Sequence, residues 1–309
     1  MSGQRTPEWH AARSKVVGGS EIAALFGCQP AYALSHYALW MVKAGRAPPP
    51  PVGNERVWWG NHLEDAIAEA VAIKEGLTVA KGGHMLDETT PGMGCTLDYI
   101  ITGHAYPDYE GQGALELKNV DWLVHKRSWT EGEPPPHILL QLQHQLACTG
   151  FSWGIVGAFV GGNDLRVYRY RARPKIIAEI RRRVTDFWAS IEEDREPPVD
   201  GSDGAAAVLR AMYAVPVDEE ADLTEDNELP EICAGLLNVA ERRRAAEAEE
   251  KTYKNRLVAK LGPHLRAKTQ GYRISVVVTP EKPDRPAEPG EVIKGRAEAR
   301  RYNVKEWVE

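Results

Sequence analysis

An α/β (α+β) fold, with a central mixed sheet flanked by helices, is the class this sequence predicts. The pattern is amphipathic helices, then short apolar strands, then further helices and a second strand pair. A length of 309 residues adds room for one large core and an appendage.

The elements follow in order. Short helices are predicted at Trp9 to Arg13, Ser20 to Phe26 and Leu34 to Lys43, before a proline-rich loop at 48–51. An amphipathic helix covers 60–75 and ends at Gly76, because Leu63, Ile67, Ala70 and Val71 make one apolar stripe. Strands are predicted near 78–86, 94–101 and 113–119, then helices at about 121–130 and 137–149. A strand pair at 153–160 and 165–171 and a basic helix from Pro174 to Glu193 close the first domain. These boundaries give residues 1–196 as the main domain, 197–229 as an acidic linker, and 230–309 as a C-terminal helix plus a small β extension. In the extension, a strand at 272–278 is predicted to pair with one near 301–304.

Composition narrows the setting. No apolar run approaches a membrane span, and the first residues lack a signal-peptide pattern. Cys28, Cys95, Cys148 and Cys233 are isolated, which argues against disulfides, structural zinc and iron–sulfur ligation. A reducing cytoplasm is the expected location. The net charge of -6 conceals a division: residues 191–235 carry fourteen acids against two arginines. Residues 161–190 carry eight basic side chains against three acids, including Arg166, Arg169, Arg171 and Arg181 to Arg183. Such a cluster either neutralises phosphates or forms a solvated helix face.

The chemistry concentrates at Gly113-Ala-Leu-Glu-Leu-Lys118. Strand side chains alternate, so Glu116 and Lys118 share one face and Leu115 and Leu117 the other. Two opposite charges in a core strand need compensation, either by each other or by a divalent metal. Asp98 on a neighbouring strand would complete a minimal metal site, and Glu64 on the core-facing side of its helix is a third acid. Singly, each has a structural alternative: Glu64 as a boundary glutamate, Asp98 as a strand end, Glu116 with Lys118 as an ion pair. Mg²⁺ prefers oxygen ligands and keeps several waters, so two carboxylates and a phosphate oxygen suffice. Lys118 would position or deprotonate the attacking water. Gln141 and Gln145, one turn apart on their helix, would hold substrate or Lys118, with loop backbone as the alternative partner.

The order Glu64, Asp98, Glu116-x-Lys118 and then Gln141 on a helix resembles the PD-(D/E)xK nuclease superfamily, and within it the lambda exonuclease and YqaJ-type viral recombinase group. Trp9-His10-x-x-Arg13 with Gly18-Gly19-Ser20-Glu21, Trp59-Gly60-x-x-x-Glu64, and Gln141-Leu142-Gln143-His144 are similar to that group's other motifs. The likeness spans about residues 7–195 and departs at Ile138, where many relatives have tyrosine.

The resemblance implies a restriction-endonuclease-like core and a Mg²⁺-dependent 5′-to-3′ exonuclease on linear duplex DNA, used in phage-type recombination. Asp98 and Glu116 would bind one or two Mg²⁺ (or Mn²⁺) ions, with the Leu117 carbonyl as a further ligand. Glu64, Lys118 and Gln141 would complete catalysis, and Arg13 and Ser20 would hold the 5′-phosphate. Ser20 alone also reads as a helix N-cap. A homo-oligomer (a trimer), a single-strand annealing protein as partner, and a bacterial cytoplasm with phage or prophage origin are implied as well. A nicking or structure-specific endonuclease and a non-catalytic DNA-binding scaffold are the alternatives.

Overall fold

In this computed structural model, residues 13–49, 55–129, 132–215, 217–270 and 272–276 are described. Trp9, His10 and the strand near 301–304 lie outside the described residues. Two compact units divide between Pro216 and Val217.

The first unit contains helices α1 (Ile22–Leu25), α2 (His36–Lys43) and α3 (Glu55–Glu75), then strands β1 (Thr78–Lys81), β2 (His84–Leu86), β3 (Gly94–Thr96), β4 (Tyr99–Gly103) and β5 (Gly113–Val120). Helices α4 (Trp122–Ser128) and α5 (Pro136–Thr149), strands β6 (Trp153–Val160) and β7 (Asp164–Arg171), and helices α6 (Pro174–Glu192) and α7 (Asp203–Met212) follow. Five strands form a mixed sheet in the order β1-β4-β5-β6-β7, in which only β5 and β6 run parallel. Parallel neighbours need a crossover, and α4 with α5 supplies it.

Strand β6 lies inside the sheet between β5 and β7 and is almost wholly buried, which explains its unbroken apolar sequence. Its two glycines let helices approach from both sides. A Cβ at Gly157 would lie 2.8 Å from Val71 of α3, and one at Gly154 would lie 2.9 Å from Leu142 of α5. On the first face Ile67, Ala68 and Val71 pack on Leu115, Leu117 and Ile155. On the second, Ile138, Leu142 and Leu146 pack on Ala114, Val156 and Ala158. A further cluster joins α1, α2, α6 and α7 through Leu39, Trp40, Ile180, Phe187 and Val208.

Several sequence expectations change here. Helix α3 begins at Glu55, a full turn before residue 60. The stretch 94–101 is two strands, β3 and β4, with Asp98 in the break between them. The expected linker contains α7, capped by Ser202, with Ala205 and Val208 buried. The basic cluster is largely engaged within the protein. Arg181 binds the buried Asp87 carboxylate at 2.7 Å and the Ala147 carbonyl at 3.1 Å. Arg182 and Arg183 both bind Glu179 at 2.7 Å, and Arg183 also covers the Phe26 ring. Arg169 and Arg171 stack over Tyr106 and Tyr109. These contacts give Arg181 and Arg183 structural roles and leave Arg182 on a solvated face.

The second unit holds α8 (Leu229–Leu261) and a hairpin of β8 (Arg266–Thr269) with β9 (Tyr272–Ser275). The strand at 272–275 therefore pairs with its immediate neighbour in sequence. Among the described residues, no helix is long and apolar enough to cross a membrane.

His144 ties α5 to β3. Its Nε2 meets the Gly94 carbonyl at 2.9 Å, while Nδ1 is buried without a hydrogen bond. Burial pushes the imidazole down to about 4, so it is neutral in the native state. An unfolded histidine titrates near 6.5, so stability is full above that pH and is lost as pH falls toward the native value. At about 1.4 kcal/mol per pH unit, the loss between pH 6.5 and 4 is roughly 3 kcal/mol. Denaturant titrations across this range should show that loss, and His144→Gln should flatten it.

Candidate active site

The site begins with the alternation in β5. Leu115 and Leu117 face α3, which leaves Glu116 and Lys118 facing α5. Glu116 is buried, and its Oε1 receives the Lys118 ammonium at 2.6 Å. Gln141 completes the pair, since its Nε2 donates to Glu116 Oε1 at 2.7 Å and its Oε1 accepts from Lys118 Nζ at 3.0 Å. One turn on, the Gln145 amide donates to Glu116 Oε2 and to the Thr96 carbonyl. Gln145 thus meets the backbone expected as its alternative partner, and holds Glu116 rather than Lys118.

Asp98 turns into the same space from the break after β3. Its Oδ2 accepts the Leu117 N–H at 2.8 Å, across the gap between β4 and β5. Burial, and then the Glu116 carboxylate beside it, push the Asp98 carboxyl well above its usual range. Burial also works against the charge on Lys118, but Glu116 and Asp98 outweigh it and hold the ammonium above its ordinary value. Lys118 is therefore a cation at neutral pH. Positioning water and stabilising charge fit this group, and deprotonating water does not. His137, beside the departing position Ile138, is pushed down by burial and then by Lys118.

Glu64 behaves differently from the expected third acid. Its carboxylate is paired with Lys81 at 2.9 Å, and Lys81 also reaches Asp65 and the Tyr99 hydroxyl. Among the described residues, no three acidic, histidine or cysteine side chains gather as a metal-binding group. Glu64 nevertheless lines the cavity that Asp98 and Glu116 line. Lys81 went unnoticed in the sequence because β1 reads as an ordinary half-polar strand.

The far wall comes from the Gly-Gly-Ser segment. Arg13 Nη2 donates to Ser20 Oγ at 2.8 Å. Ser20 is not the helix cap. Glu21 occupies that position, and its Oε2 accepts the Gly18 N–H at 2.8 Å. Lys43, almost fully buried, donates to the same Glu21 oxygen at 3.0 Å and to the Arg13 and Val16 carbonyls at 2.9 and 2.7 Å. Burial lowers the Lys43 ammonium despite Glu21. Glu21 and Lys43 thus fix the backbone that presents Arg13. The only sequence signal for this was a lone lysine closing an apolar helix. A Cβ at Gly19 would sit 3.4 Å from Gln141 Cγ, so this wall packs directly on α5.

One cavity of about 440 Å³ is lined by Arg13, Ser20, Glu64, Asp98, Glu116, Leu117, Lys118 and Gln141. The structure thus brings every nominated residue to one place. For a divalent ion, the donor set fits at two positions. Asp98 and Glu116 are hard oxygen donors, and their crowding leaves an excess of negative charge that one ammonium does not cancel.

Residues 8–152 match the family model of the YqaJ-like viral recombinase domain. Among solved structures, LHK-Exo in complex with dAMP aligns with a TM-score of 0.50 and 24% identity, over 61% of this chain and 94% of that one. The alkaline exonuclease LHK-Exo from Laribacter hongkongensis gives 0.49 and 25% over the same shares. No curated protein matches the sequence.

The crowding of Asp98 against Glu116 has a cost that can be measured. In protein kept free of divalent ions by chelator at pH 7, Asp98→Asn should raise the melting temperature by a few degrees. It removes a group whose ionisation burial and Glu116 oppose, and keeps an acceptor for the Leu117 N–H. A lowered melting temperature would show that the carboxylate stabilises the fold.

The order of motifs, the geometry and the comparisons agree: over residues 8–152 this chain is similar to the YqaJ-like viral recombinase domain, on the mixed α/β fold of the PD-(D/E)xK nucleases.

Proposed function

We propose that this protein is a metal-dependent nuclease of the lambda-exonuclease type, digesting linear duplex DNA 5′ to 3′ with Mg²⁺ and releasing 5′-phosphomononucleotides. The observation that carries this reading is the meeting of Asp98, Glu116 and Lys118 in a cavity that Arg13 and Ser20 also line. The family match adds to it.

Asp98, Glu116 and the Leu117 carbonyl would hold the metal. When bound, the ion supplies Lewis-acid stabilisation of negative charge on the scissile phosphate and acidifies water. The protein's own groups do the rest. Lys118 keeps its proton on Nζ and offers a positive donor to the attacked phosphate, oriented by Gln141. Gln145 and Gln141 hold the Glu116 carboxylate in one rotamer, so its oxygens need no reorganisation during the reaction. Glu64, which already lines the cavity, becomes available to it once it leaves Lys81, an ion pair at the surface worth about 0–1 kcal/mol. Arg13, with Ser20 beside it, supplies a charged fork for a terminal phosphate. In this reading the substrate is a DNA end, the enzyme is a homo-oligomer acting with a single-strand annealing protein, and it works in the bacterial cytoplasm during phage-type recombination.

End-labelled linear duplex, with and without Mg²⁺, tests the reaction, with closed circular plasmid as control. Label should leave the 5′ end as mononucleotide, and the plasmid should stay intact. Lys118→Ala and Asp98→Ala should each lower that release by about a hundredfold or more while the fold persists. Near-normal digestion by either variant would remove that residue from the site. Arg13→Ala should slow digestion of 5′-phosphorylated ends more than of 5′-hydroxyl ends. Equal slowing on both would deny it the phosphate.

A further inference from the structure

Helix α8 is the longest among the described residues, and within it only Leu261 is buried. At 1.5 Å per residue it extends about 50 Å. Its large apolar residues are not scattered. Ile232, Leu236, Val239, Tyr253 and Leu257 are each about half exposed. With Arg243, Ala246 and Glu250 between them, they step alternately by four and three residues and so make one continuous stripe. Helices of this kind gain most of their stability from packing such a stripe against something.

The two charges within the stripe decide what fits. Arg243 stands after the first apolar group and Glu250 before the second. A second copy laid parallel would set Arg243 against Arg243 and Glu250 against Glu250. Laid antiparallel, with a twofold axis between Ala246 and Glu247, it sets Arg243 opposite Glu250 of the second copy. The same axis places Leu236 opposite Leu257 of the second copy and Val239 beside its Tyr253. Both charges are exposed and pair along their own helix, Arg243 with Glu247 at 3.5 Å and Glu250 with Lys254 at 2.7 Å. Exposed pairs of this kind hold weakly, so either charge can be taken over by a facing helix. The stripe is therefore complementary to itself in one direction only, as a twofold interface requires.

We propose that two copies of this chain associate through antiparallel pairing of α8, with the 232–239 group of each covering the 253–257 group of the other. This interface stands independently of the nuclease reading, because it uses none of the cavity residues.

Sedimentation or light scattering of the full-length chain reads the result. The wild-type assembly should be an even multiple of the 34.2 kDa chain, six chains where the trimer that the resemblance implies forms as well. Leu236→Asp, Arg243→Glu and Glu250→Arg should each halve the assembled mass, with helix content by circular dichroism retained. The double variant Arg243→Glu/Glu250→Arg should restore it, a rescue that parallel pairing does not allow. An odd-numbered wild-type assembly, or an unchanged mass for Leu236→Asp, would overturn the proposal and give the stripe to another occupant, such as residues 277–309 or a different protein. A double variant that stays at half mass would overturn the antiparallel register.

Discussion

Burying the Glu116 carboxylate next to that of Asp98 is the constraint on which the rest of the first unit depends. Both are largely withdrawn from solvent, Glu116 more than Asp98, and their repulsion is offset only in part by one ammonium. The fold answers with geometry. Lys118 comes from the same strand face, two residues on, and two glutamines come from one helix, one turn apart. This works only if α5 lies on the sheet in one register, and Ile138, Leu142 and Leu146 set that register by packing on β5 and β6. The small residues Gly154 and Gly19 keep the approach close. That a core keeps such a costly arrangement is itself an argument for use rather than for folding.

The same logic separates the acids. Asp98 and Glu116 are fixed by backbone and amide hydrogen bonds in dry surroundings, whereas Glu64 is held by a lysine that is itself more than half exposed. Fixed groups suit a metal, which tolerates little error in ligand position. A loosely held carboxylate at the mouth suits a step that follows substrate entry. The Lys81–Tyr99–Asp65 network holds Lys81 in place, so the resting position of Glu64 is a property of β1 and β4 as much as of α3.

Much of this was legible because it is local. Strand alternation alone placed Glu116 and Lys118 together, and helical spacing alone placed Gln141 over Gln145. What escaped depends on partners distant in sequence. The run from Cys95 to Ile101 reads as one strand, yet Asp98 breaks it because its carboxylate takes the Leu117 N–H, nineteen residues later. Residues 203–212 read as linker from their small and acidic composition, but Ala205 and Val208 are small enough to seat directly on the α2 cluster. Arg181 looked like part of a phosphate footprint because nothing near it in sequence reveals Asp87, ninety-four residues before it.

That last reassignment changes where attraction for DNA must arise. With Arg181 and Arg183 committed to the interior and Arg169 and Arg171 laid over tyrosines, α6 and β7 offer little free positive charge. The acidic stretch from 191 to 235 lowers the potential further. The cations that line the cavity, Lys118 and Arg13, stand among Glu64, Asp98 and Glu116, so a phosphate would gain there only once a bound cation offset the acids. A protein charged this way offers an anionic polymer little long-range attraction from α6 and β7.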